Sequence, residues 1–219
     1  MEEYTLSEEI PQKSPEKIKG NFLMRAANTL VYLVVFLIPV FFLPFTSNFL
    51  DFNKQALLLG FVALALILWL ASSFMTNKFE VNISFINLPV LILLLVSGAA
   101  AIMSKFSYGS FWGLPLPVAP SVLSLLGFAV LYFLIANLFK KDEILLLLLA
   151  LFVSGFLAGL LGILSLFGKF VLPIDFTKVS SFNTIGTQNA LAIFSACLLL
   201  IMLPLLFFVK LTTGFRPAI

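Results

Sequence analysis

The chain has 219 residues, 61% of them hydrophobic and only 11% charged, with a formal charge of +3 and a mean hydropathy of +1.14. Soluble domains carry about 25% charged residues, so this composition excludes an ordinary water-soluble fold, and the small, dispersed positive charge argues against a nucleic-acid surface. A single cysteine, Cys197, and no histidine exclude an intrachain disulfide and a Ser-His-Asp or Cys-His catalytic unit, and argue against a zinc or transition-metal site.

Residues 1–26 form a polar stretch in which Glu2, Glu3, Glu8, Glu9 and Glu16 alternate with Lys13, Lys17, Lys19 and Arg25. Pro11 and Pro15 interrupt helix formation there, which predicts a flexible tail. The tail is too long and acidic for a secretory signal, and no small-residue cleavage site follows the first apolar run.

Six apolar runs follow, over 27–46, 55–75, 85–104, 120–139, 144–168 and 189–209, none with a charged residue in its interior. At about 1.5 Å per residue, a run of about 20 residues covers the roughly 30 Å hydrocarbon core. The runs are continuous rather than alternating, which disfavours barrel strands. The fold expected is all-α, a polytopic transmembrane bundle of about six spans.

Local signatures sharpen the boundaries. Pro120 suits the first turn of the fourth run. Lys140-Lys141-Asp142-Glu143 leaves so short a turn that the fourth and fifth helices are expected to pair as an antiparallel hairpin. Pro39 and Pro204 predict kinks in the first and sixth helices. In the fifth run, Gly155-x-x-x-Gly159 with Gly162, Ser154 and Ala158 gives a small-residue face for close helix packing, or alternatively a groove for a lipid chain.

With the N-terminus inside, Lys13, Lys17, Lys19, Arg25, Lys78, Lys140, Lys141, Lys210 and Arg216 fall on the cytoplasmic side, and Lys54, Lys105, Lys169 and Lys178 outside. Nine against four, together the 13 Lys and Arg of the chain, predicts both ends in the cytoplasm. The 210–219 segment is then a short cytoplasmic tail.

Two outer loops are the informative ones. The first, near 105–119, carries Tyr108, Phe111 and Trp112, which suit either the headgroup layer or a stacking platform for a sugar. The second, 169–188, leads into the sixth helix through Gly186-Thr187-Gln188-Asn189. Thr187 or Asn189 is placed to cap that helix, whose free N–H groups would suit a phosphate, and Gly186 permits close backbone approach. Lys54 opens the second helix three residues after Asp51. It is either a lysine reaching to the interface or a partner for a lipid phosphate. Polar residues within the runs are mild (Asn28, Ser97, Asn137, Ser195), against the intramembrane charge that ion-coupled transport uses.

The order of these elements resembles a known family. Phe45-Thr46-Ser47-Asn48 closes the first helix and Phe49-Leu50-Asp51-Phe52-Asn53-Lys54-Gln55 opens the second, which closes on Trp69. Asn87-Leu88-Pro89 opens the third, Met103-Ser104-Lys105-Phe106-Ser107 and Ser110-Phe111-Trp112-Gly113 follow, and Gly186-Thr187-Gln188-Asn189-Ala190-Leu191-Ala192 opens the sixth. This pattern resembles the N-terminal half of the bacterial O-antigen ligase and O-antigen polymerase superfamily. Thr187 and Gln188 stand where the family commonly has an Asn-Pro pair.

The resemblance implies a multi-pass protein of the bacterial inner (cytoplasmic) membrane. It further implies the membrane-embedded N-terminal part of a metal-free glycosyltransferase that moves a glycan from an undecaprenyl-diphosphate carrier in cell-surface polysaccharide synthesis. No cofactor is expected. The family's catalytic histidine and arginines lie in a later outer loop, so no catalytic residue is assigned here, and the resemblance implies a fragment or a split member that is inactive alone. Lys54, Gly186 and Asn189 are the substrate-binding candidates, toward the carrier's diphosphate. Two other readings stand beside it: half of a transporter or permease, which requires charged or broken midplane helices in a second half, and a non-catalytic membrane subunit.

Overall fold

The computed structural model describes residues 15–42, 51–77, 81, 85–113, 121–171, 174, 177–178 and 182–213, with side chains described between 19 and 205. Among these residues the fold is all-α. The elements are α1 (Pro15–Val40), α2 (Asp51–Thr76), a 3-10 turn (Phe85–Asn87) running into α3 (Leu88–Met103), the short α4 (Ser107–Trp112), α5 (Val122–Leu138), α6 (Lys141–Leu166) and α7 (Gln188–Thr213).

Five helical stretches are long and apolar enough to cross a membrane: Lys19–Val40, Asp51–Thr76, Phe85–Met103, Lys141–Leu166 and Gln188–Leu205. Helix α5 is as apolar but has 17 residues, at the short end of the roughly 17–25 that span a bilayer. Large apolar side chains stand outward along these helices, among them Phe74, Leu95, Phe156 and Leu200. So extensive an exposed apolar surface belongs in hydrocarbon rather than water. The chain is a multi-pass membrane helix bundle.

Several boundaries differ from those read in the sequence. Helix α1 begins at Pro15, so the polar stretch is helical over 15–26. Proline is accepted at a first position because the first N–H groups of a helix have no intrahelical acceptor. At the other end α1 closes at Val40, one residue after Pro39; residues 43–46 lie outside the described part. Pro120 also lies outside it, and α5 starts one residue later than Ser121, whose hydroxyl accepts from the Ser124 N–H at 3.3 Å. The loop near 105–119 contains the short helix α4.

The neighbours in the bundle follow the order α7, α6, α1, α2, α5, α3. The α1–α2 pair is the most closely associated and forms the core. Ala27, Val31 and Val34 of α1 and Leu58, Val62, Ala65, Trp69 and Ser72 of α2 are buried. Their spacing of three and four residues is the seam of two helices packing at a shallow angle. Trp69 stands edge-on to Phe133 of α5, centroids 5.6 Å apart, which ties α5 to the same core.

The expected α5–α6 hairpin is not formed. Only Phe139 and Lys140 separate the two helices, and the Lys140 N–H donates to Glu143 Oε2 at 2.9 Å to start α6. Yet α5 packs on α2 and α3, while α6 packs on α1 and α7. Helix α1 occupies the space between them: the Tyr32 hydroxyl donates to the Glu143 carbonyl at 3.0 Å, and the Tyr32 ring meets Phe139 edge-on at 5.2 Å.

The small-residue face of α6 does pack against a helix, with a different seam. A Cβ on Gly155 would collide with Leu198 of α7, and one on Gly162 would stand 2.6 Å from Leu191 Cδ2. Ser154 and Ala158 of the same helix are fully buried, whereas Gly159 faces open space. The α7 seam therefore runs over Gly155 and Gly162 rather than Gly155 and Gly159, and α7 side chains fill the groove that the glycines leave.

Candidate binding site at the Lys54 end of the bundle

Three helices start at one end of the bundle. Helix α2 begins at Asp51, α5 follows Ser121, and α7 follows Thr187, whose hydroxyl accepts from the Ala190 N–H at 3.1 Å. A helix start exposes N–H groups and the positive end of the peptide dipoles. The α2 and α5 starts are joined by a buried polar contact: Gln55 Nε2 donates to Ser121 Oγ at 3.0 Å and to Ser124 Oγ at 3.1 Å. Buried polar groups are held this way because an unpaired donor in apolar surroundings is costly.

The segment 182–187 folds into this end of the bundle. Asn183 and Thr184 are fully buried. The Asn183 carboxamide oxygen accepts from the N–H groups of Ile185 (3.0 Å) and Gly186 (2.9 Å), closing a local turn. Gly186 takes φ +138°, a conformation that side chains with a Cβ rarely adopt, and it has open space around its α-carbon. The conformation lets the chain turn there. The Thr184 hydroxyl donates to the Pro39 carbonyl at 2.9 Å, satisfying an acceptor that the end of α1 leaves free.

Lys54 reaches the same segment. Its ammonium donates to the Thr184 carbonyl. The side chain is half-buried, with Asp51 one turn before it on the same helix. Beside it lies a cavity of about 230 Å³. The polar lining comes from Asp51, Lys54, Gln55 and Ser124; Pro39, Ile185 and Phe194 are among the apolar walls. Since a water molecule takes about 30 Å³, there is room for several waters or a small anionic group. An ammonium has three donors, and one carbonyl acceptor leaves capacity for a ligand oxygen.

Of the three candidate residues, the structure brings Lys54 and Gly186 into one neighbourhood through Thr184. Asn189 is exposed on the first turn of α7 and does not line the cavity; Thr187, not Asn189, caps the helix. Gln55, Asn183 and Thr184 were not legible as site residues. The contacts of Gln55 and Thr184 run across 66 to 145 residues of sequence, and an Asn-Thr pair in a polar loop carries no distinguishing pattern. No family model, no curated protein and no solved structure matches the chain.

Proposed function

We propose that this chain is the membrane-embedded N-terminal part of an O-antigen ligase/polymerase-like glycosyltransferase, and that its Lys54 end holds the diphosphate of an undecaprenyl-linked glycan. In this reading the bundle has six spans with α5 as the short one, both chain ends lie in the cytoplasm of a bacterial cell, and the Lys54 end faces the outer side of the inner membrane.

The observation that carries the reading is the position of Lys54. Lys54 stands beside a cavity lined by the first two turns of α2 and of α5, with Ile185 and Phe194 from the α7 side. An ammonium beside the starts of α2 and α5 favours a phosphate group in charge and hydrogen bonding, offset in part by the Asp51 carboxylate on the same lining. A ligand oxygen would share Lys54 with the Thr184 carbonyl, while the carrier's isoprenoid chain stays in the hydrocarbon around the helices. Transfer chemistry is not assigned to any residue of the chain.

The test is glycan transfer in cells whose complete transferase carries Lys54→Ala. Reduced transfer at an unchanged amount of protein in the membrane supports the reading. Unchanged transfer refutes the role of Lys54.

A further inference from the structure

Helix α4 presents the wrong face for a segment surrounded by water. It sits between the end of α3 and the start of α5 and packs against both. Its inward face is small, with Gly109 and Gly113 buried, and Gly113 closes the helix with φ +83° and an N–H donated to the Gly109 carbonyl at 2.7 Å. Tyr108 and Trp112, one turn apart, point away from the bundle with 64% and 53% of their surface exposed. Their rings lie 6.3 Å apart at 30° to one another. Phe106 beside them is 54% exposed, and Lys105 is exposed as well.

A surface helix in water turns its polar side outward. Here the outward side is aromatic, and the serine hydroxyls are engaged locally: Ser107 Oγ donates to the Ser104 carbonyl at 3.0 Å, and Ser110 Oγ to Ser104 Oγ at 3.0 Å. The level of α4 is set by its neighbours, because it joins the end of one apolar helix to the start of the next. Tyr and Trp concentrate at that level in membrane proteins, with the ring body in the acyl boundary and the polar tip among headgroups. Lysine beside them reaches the phosphates.

We infer that α4 is an interfacial helix whose Tyr108–Trp112 face is inserted in the headgroup layer of the bilayer, with Lys105 at the lipid phosphates. This is independent of the diphosphate reading and of which side of the membrane α4 occupies. The competing occupant of the same rings is a carbohydrate stacked on them from the aqueous side.

Trp69 and Trp112 are the two tryptophans of the chain, and Trp69 is 4% exposed in the core. This permits a direct test. The full chain carrying Trp69→Phe is reconstituted in vesicles of phosphatidylethanolamine and phosphatidylglycerol, with nitroxide labels at the headgroup or at the bilayer centre in separate preparations. Headgroup labels are expected to quench Trp112 about threefold more strongly than centre labels, with weak quenching by aqueous iodide. Strong iodide quenching without lipid quenching would overturn the inference and favour the carbohydrate platform. Strongest quenching from the bilayer centre would overturn it as well. If Trp69→Phe disturbs folding, the wild-type signal minus that of Trp112→Phe isolates the same ring and is read by the same outcomes.

Discussion

The Lys54 ammonium donates to the backbone carbonyl of Thr184, and the Thr184 hydroxyl in turn donates to the carbonyl of Pro39. Two residues 130 apart thereby lock the start of α2, the end of α1 and the segment before α7 into one unit. The polar segment is buried at a helix end because its neighbours supply the partners that water otherwise would.

That arrangement makes Thr184 a stability determinant. Thr184→Val keeps the shape and removes the donor to Pro39, leaving a buried carbonyl unpaired. The prediction is a loss of about 1–3 kcal/mol, read as a lowered thermal unfolding midpoint in detergent, with Thr184→Ser retaining most of the stability. Equal midpoints for Thr184→Val and wild type would show that the hydroxyl bond contributes nothing.

The α6–α7 seam gives a second prediction, in which three glycines of one helix behave differently. Gly155→Leu and Gly162→Leu place bulk against Leu198 and Leu191 and are predicted to destabilise by about 1–3 kcal/mol each. Gly159→Leu enters open space and is predicted to be tolerated or stabilising, since glycine is a poor helix former by about 1 kcal/mol. Unfolding titrations of the three variants decide it; a Gly159 variant as damaged as the other two contradicts the seam.

Asn28 offers a third. Its carboxamide oxygen is buried and has no hydrogen-bond partner among the described residues. Removing an unsatisfied polar group from an apolar setting stabilises, so Asn28→Leu is predicted to raise stability by about 1 kcal/mol. A lowered unfolding midpoint would mean that the oxygen has a partner in the membrane, such as a bound water.

The long apolar helices were legible because the membrane imposes a length and a composition on each of them. Their neighbours were not. Residues such as Leu95, Leu146 and Leu200 make every face of these helices apolar, so hydrophobic periodicity cannot mark the buried side, and the seams follow residue size at Ala27, Ala65, Gly155 and Ala158. The short turn Lys140–Glu143 suggested that α5 and α6 pair, but it fixes only where their ends lie, and Tyr32 of α1 takes the place between them. Lys54 stood out by charge at a helix start. Gly186 stood out by its conformational freedom, although its turn serves Asn183 and Thr184, two loop residues without a signature of their own.

The most direct test of the central claim is equilibrium binding of a polyprenyl diphosphate to the purified chain in nanodiscs, comparing wild type with Lys54→Ala and Lys54→Arg. The diphosphate role predicts that Lys54→Ala weakens binding about tenfold, about 1.4 kcal/mol, while Lys54→Arg retains most of the affinity because the charge is kept. Excess phosphatidylglycerol should not displace the ligand. The unfolding midpoint of Lys54→Ala, measured in parallel, identifies any loss due to a disturbed 182–187 segment. A well-folded Lys54→Ala protein that binds the diphosphate as tightly as wild type would contradict the account.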